Sequence, residues 1–119
     1  MPAWCIRFLV LRDEMRDAAE IIYPDDKEAK MLGDFIENVR RNVPLVHNIT
    51  NYVTVNDVAN VVLACGASPI MSDEPDDVED ITSICGGLNI NIGTLNKRSI
   101  ESMFIAGNKA KKLGHVILL

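Results

Sequence analysis

An α/β fold built on a parallel sheet is the class this sequence predicts, on three observations. Short apolar stretches of strand composition alternate with longer segments of helical period. Two of the helical segments stop on a glycine. Polar residues gather directly after the strands, at HNITN, MSDEP and GTLNK.

The elements follow in order. Residues 4–11 read as a short strand and RDEMRDAAEII as a helix that stops before Pro24. From Asp26 to Asn42, Ala29, Leu32, Ile36 and Val39 recur three or four apart, with acidic residues at the start and Arg40 and Arg41 at the end, an arrangement that suits a helix and its dipole. VPLVHNI at 43–49 is a strand, and VTVNDVANVVLACG at 53–66 a helix closed by Gly66. ASPIM at 67–71 is the next strand. In DEPDDVEDITSICGG, Pro75 suits a first helical turn and the carboxylates suit its positive end. LNINIG at 88–93 is a third strand, KRSIESMFIAGNKAKKLG at 97–114 a helix stopped by Gly114, and HVILL at 115–119 a last strand. Strands and helices of these lengths in alternation mean βαβ units with right-handed crossovers.

In a parallel sheet every strand ends on the same side, so the three polar segments come out along one edge, where open α/β sheets bind ligands. A single polar loop is ordinary surface; three at equivalent positions describe the rim of a site.

Composition limits the function classes. The chain has 119 residues, 48% of them hydrophobic and 24% charged, which suits one small domain or part of a larger one. A net charge of -5 without a basic stripe argues against a nucleic-acid partner. No stretch approaches the roughly 20 apolar residues of a membrane helix. WCIRFLVL lacks the flanks of a signal peptide, so a cytoplasmic location is expected. Three cysteines, Cys5, Cys65 and Cys85, are too few and too scattered for a zinc site or disulfide framework, and read as reduced thiols.

The motifs PLVHNITNYV, GASPIMS and NINIGTL, followed by SIESMFIAGNKAKKLGHVILL, closely resemble the N-terminal part of hydroxyethylthiazole kinase, of the ribokinase-like superfamily. The resemblance runs from about Met31 to Leu119, leaving residues 1–30 as an atypical extension. It implies a ribokinase-like three-layer α/β fold, of which this is the N-terminal part. It also implies ATP-dependent, Mg2+-assisted phosphorylation of the hydroxyl of 4-methyl-5-(2-hydroxyethyl)thiazole, in a homotrimer with substrate sites between subunits. Position by position, Met71 matches the family's substrate-contacting methionine, and Asn51, Val53, Gly93 and Thr94 match residues of its pocket.

These residue types suit the ligand. A thioether adapts to a flat, polarisable ring, Asn51 and Thr94 offer hydrogen bonds to a ring nitrogen or hydroxyl, and Gly93 lets the backbone come close. Outside the motif context, Met71 reads as a core residue.

His47 stands in an apolar strand beside no acid that sequence identifies, and reads as a hydrogen-bonded structural residue; His115 reads as strand-start chemistry. The acidic run DEPDDVED reads as a helix start rather than a metal site. Relatives continue after the equivalent of HVILL with a DPVGAG-like segment, the ATP-binding residues and a glycine-rich catalytic turn. No GxxxxGK[ST] or GxGxxG run stands in their place, so no catalytic, nucleotide or metal residue is assigned here and the chain alone is expected to be inactive. The alternative is a non-catalytic truncated remnant or interaction module, with or without part of a thiazole pocket, that buries the HVILL strand against another chain. From pattern alone, without the motifs, a generic doubly wound nucleotide-binding domain would be read.

Overall fold

The computed structural model describes residues 26–119; the strand expected at 4–11, the helix after it and Cys5 lie outside the described residues. The chain divides into two compact units, Met1–Phe35 and Ile36–Leu119. The described elements are α1 (Asp26–Asn42), β1 (Leu45–Ile49), α2 (Val55–Ala64), β2 (Ser68–Met71), α3 (Val78–Ile84), β3 (Gly87–Ile90), α4 (Lys97–Leu113) and β4 (Val116–Leu118).

The four strands form one parallel sheet in the order β2-β1-β3-β4. Its register aligns His47 with Ile70 and Leu88, and Asn48 with Met71 and Asn89. Side chains alternate along a strand, so His47, Ile49, Leu88 and Ile90 share one face, while Asn48, Met71 and Asn89 share the other.

The first face carries the core. Ile49, Leu88 and Ile90 pack with Val78 of α3 and with Ala106 and Ala110 of α4. On α4 the buried positions are Ser99, Ser102, Ala106 and Ala110, a stripe of small side chains that lets the helix lie close.

Both longer crossovers end alike. Gly66 N–H donates to Leu63 O and Ala67 N–H to Val62 O; Gly114 N–H donates to Lys111 O and His115 N–H to Ala110 O. These paired bonds are Schellman closures, which require a left-handed residue, and Gly66 and Gly114 have φ of +93° and +71°. At the other end of α4, Asn96 and Ser99 cap each other reciprocally.

Three boundaries differ from expectation, the simplest being β3, which ends at Ile90 instead of running on to Gly93. Val43, read as the start of the first strand, is the one described non-glycine residue with positive φ, +44°, and its N–H donates to Val39 O, so it ends α1 and turns the chain. Pro75 precedes α3 instead of opening it: Pro75–Asp77 form a turn in which the N–H groups of Asp77 and Val78 both donate to Glu74 O. Proline suits a turn's second position as well as a helix's first.

Candidate functional site

The C-terminal edge of the sheet brings the three polar segments together, as the parallel topology requires. Asn91, just past β3, is the clasp: its Nδ2 donates to Thr50 Oγ1 at 3.1 Å and its Oδ1 accepts from Gly93 N–H at 2.9 Å. Thr50 and Thr54 hydroxyls meet at 2.9 Å, and Asn51 Oδ1 accepts from Val53 N–H at 3.0 Å and Thr54 N–H at 3.1 Å. The Asn51 carbonyl therefore shapes the turn that starts α2. Among the described residues its amide NH2 has no hydrogen-bond partner.

A half-open cleft of about 60 Å³ lies on the Asn48/Met71 face of this edge. Asn48 and Thr50 border it from β1, Tyr52 and Val55 from the turn into α2, and Met71, Ser72 and Asp73 from the end of β2. Of the five residues matched by resemblance, Met71 lines the cleft. The other four do not line it: Asn51 and Val53 adjoin the lining residue Tyr52 in sequence, Val53 being 89% exposed, while Gly93 and Thr94 stand exposed on the neighbouring loop that Asn91 ties to Thr50. The cleft residues Asn48, Thr50, Tyr52, Ser72 and Asp73 were not among the expected ones. Their signal was the polarity change after each strand, which marks a loop without saying which side chains turn inward.

Asn48 is buried and fully engaged: Nδ2 donates to Val46 O at 2.8 Å and Oδ1 accepts from Asn89 Nδ2 at 3.1 Å. The acidic run proves to have two uses. Asp73 and Glu74 pair with Arg98 at 2.8 and 3.2 Å, while Glu79 and Asp80 occupy the first turn of α3. Among the described residues, no group of three or more His, Cys, Asp or Glu side chains is placed to hold a metal ion. Burial pushes the Cys85 thiol up, away from the thiolate a nucleophile requires.

His47 is completely buried on the opposite face of the sheet. Its Nε2 lies 3.1 Å from Ser72 O and its Nδ1 2.9 Å from Thr82 Oγ1. A carbonyl only accepts, so Nε2 carries the proton; in the neutral ring Nδ1 is then an acceptor facing the Thr82 hydroxyl, whose single proton is contested by Val78 O at 2.7 Å. Burial lowers the His47 pKa from its ordinary 6.5, outweighing the bond to Ser72, which raises it.

The unfolded chain then binds a proton that the folded chain resists, so this contribution to stability is complete above 6.5 and is lost as pH falls towards the lower folded value. Denaturation midpoints measured between roughly pH 7.5 and 5.5 should decline on acidification, and the decline should be shallower in His47→Gln. Equal slopes in the two proteins would contradict this.

Residues 36–119 match the model of the Hydroxyethylthiazole kinase family. The chain belongs to that family. It is 66% identical over 89 residues to a hydroxyethylthiazole kinase of Clostridium acetobutylicum, covering 75% of this chain and 33% of that protein. With one from Ruminiclostridium cellulolyticum it shares 62% identity over 85 residues, covering 71% and 31% of the two chains. The solved structure of a hydroxyethylthiazole kinase from Pyrococcus horikoshii superposes with a TM-score of 0.71 at 41% identity, over 74% of this chain and 35% of that one. The chain thus spans about a third of the length of the hydroxyethylthiazole kinases it matches. The resemblance read from the three rim motifs is borne out. No helix among the described residues is long and apolar enough to cross a membrane.

Proposed function

We propose that this chain supplies the thiazole-binding part of a hydroxyethylthiazole kinase, which transfers a phosphoryl group from ATP to the hydroxyl of 4-methyl-5-(2-hydroxyethyl)thiazole. Residues 31–119 are then the N-terminal part of the kinase domain and residues 1–30 an extension. The observation that carries this reading is the position of Met71 in a cleft at the C-terminal edge of the sheet. There it lines a recess of about 60 Å³ together with Asn48 and the hydroxyl-bearing Thr50, Tyr52 and Ser72. Asn51, through its NH2, and Val53, Gly93 and Thr94 on the adjoining loops complete the ligand's surroundings. In the whole enzyme a homotrimer in the cytoplasm, with another subunit closing the open side, accounts for the exposure of these loops.

Phosphoryl transfer depends on stabilising charge around the moving group, for which Mg2+ and basic residues are the usual means. The carboxylates nearest the cleft, Asp73 and Glu74, are engaged by Arg98, and the donor set here does not fit a Mg2+ site. No step through the metal is assigned to this chain; its part is to bind and orient the alcohol.

Titration of the thiazole alcohol into the 15N-labelled chain is expected to shift the amides of residues 50–55 and 71–73. Met71→Ala should raise Kd about tenfold, roughly 1.4 kcal/mol, the upper range of a sulfur–aromatic contact. Binding that leaves those amides unmoved, or that ignores the substitution, would remove the reading.

A second reading rests on a different feature. β4 is exposed along its length, and an apolar groove beside it is lined by Ile92, Leu95, Phe104 and Leu119. An interaction module that covers this surface with another chain would have such a face. Because such a module could keep part of the pocket, the two readings are separated by the behaviour of the 119-residue chain in solution: a stable, monodisperse species counts for the module.

A further inference from the structure

We propose that His47 and Ser102 are positioning residues that hold the backbone wall of the cleft from behind the sheet, an inference that rests on the cleft being the thiazole site. Leaving β2, the chain keeps one long bond to the neighbouring strand, Ser72 N–H to Asn48 O at 3.4 Å, and none beyond it among the described residues, yet Met71, Ser72 and Asp73 must present one surface to a ligand. Two consecutive carbonyls there are turned inward by buried donors. His47 Nε2–H reaches Ser72 O at 3.1 Å, and Ser102 Oγ–H reaches Asp73 O at 2.7 Å, the shorter of its two acceptors, Arg98 O on its own helix lying at 3.0 Å.

Both anchors are wholly buried and both belong to the core side: His47 shares its face with Ile49 and Leu88, and Ser102 lies in the small-residue stripe of α4. The cleft opens on the other face, where Met71 stands in register with Asn48. The anchors therefore reach the ligand only through the backbone they hold.

The His47 ring is itself oriented. Thr82 Oγ1 lies 2.9 Å from Nδ1 and 2.7 Å from Val78 O, which helps set the ring plane, while the acceptor-only Ser72 carbonyl selects the tautomer with Nε2 protonated. Outside the sheet, Arg98 grips the Asp73 carboxylate at 2.8 Å, but this pair is exposed and contributes little by comparison. A wall held by buried, fully paired groups is preorganised, so binding need not order it.

The test uses the 119-residue chain with His47→Leu, His47→Gln and Ser102→Ala. The Gln amide nitrogen sits close to the place of Nε2 and preserves a donor to Ser72 O; Leu preserves the bulk alone. Backbone heteronuclear NOEs at Ser72 and Asp73 should equal strand values in the wild type, fall in His47→Leu while β1 and β3 stay rigid, and recover in His47→Gln. Kd for the thiazole alcohol should rise about tenfold in His47→Leu and roughly threefold in Ser102→Ala, with most of the His47→Leu loss recovered in His47→Gln.

Loosening spread evenly over the sheet would mean that His47 is a core residue and nothing more, and would overturn the proposal. So would a rigid wall in both His47→Leu and Ser102→Ala, or a loosened wall with unchanged Kd. Should His47→Leu fail to fold, Ser102→Ala and His47→Gln still decide: the first must loosen the wall and the second must not. A wild type that binds no thiazole alcohol would remove the reading of the site, while the NOEs would still report whether these anchors hold the wall.

Discussion

Ile49→Ala is expected to lower the unfolding free energy by about 2–5 kcal/mol, the range for truncating a buried aliphatic side chain that leaves a cavity. Ile49 is wholly inaccessible at the end of β1, packed among Val78, Leu88, Ile90 and the alanines of α4. Those neighbours come from three other elements, and the short strands and regular helices around them leave little freedom to collapse into the space. Small domains have total stabilities of roughly 5 to 15 kcal/mol, so the loss is a large share. Urea denaturation of the variant against Val61→Ala, at a position 63% exposed on α2, checks the claim. A loss under about 1 kcal/mol at Ile49, or an equal loss at Val61, would contradict it. Thr50 follows immediately, so the weakened strand end should also loosen the Thr50–Asn91 clasp at the cleft.

Gly66→Ala should be nearly as damaging, at about 2–4 kcal/mol, because backbone and space oppose it together. The position has φ of +93°, and a Cβ there would stand 2.5 Å from Arg40 Cγ and 3.0 Å from Arg40 Cα. The Cγ can swing aside; the helix backbone of α1 cannot. A double-mutant cycle with Arg40→Ala separates the two causes. Removing the side chain should restore part of the loss and leave roughly 1 kcal/mol or more from the backbone alone. Full restoration would mean that the left-handed conformation carries no penalty. A loss under about 0.5 kcal/mol for Gly66→Ala would mean that the Schellman closure between α2 and β2 adapts freely.

Much of the fold was legible because its signals are local. The glycine stops of α2 and α4 are such signals: Gly66 and Gly114 occur where a left-handed residue is needed and few others fit. The strands were legible for the same reason, each being a short apolar run between turn residues. The order β2-β1-β3-β4 was not, since the spacing of elements along the chain leaves open on which side of β1 each crossover lands. Val43 gave no warning, because a β-branched residue is among the least expected at positive φ.

At the site, the rim could be read from three repeated changes of polarity, and the family from their motifs. The tasks of individual side chains could not. Asn51 suits a ligand contact and an Asx turn equally well, and only the placement of the Val53 and Thr54 N–H groups gives its carbonyl to the turn. His47 has no acid near it in sequence, as expected of a structural histidine, but its partners stand 25 and 35 residues away, at distances no pattern reports. Asp73 and Glu74 looked like part of a helix start until Arg98, far along the chain, was placed beside them.

The two margins of the sheet are unequal. The N–H groups of Ser68 in β2 and of Ser72 just past it point at the β1 side, donating to Pro44 O and Asn48 O, so alternate residues such as position 69 face outward. Position 69 is a proline, which has no N–H to offer, and an incoming strand would find a donor missing at the centre of that border. β4 has no such interruption: Val116, Ile117 and Leu118 are apolar and exposed, and among the described residues β4 is paired on one side only. Lateral growth of this sheet is therefore polar, barred at β2 and permitted at β4. Any additional strand, whether from the same polypeptide or from a second one that associates by mistake, is directed to the β4 side and away from the cleft-bearing loops of β1 and β2.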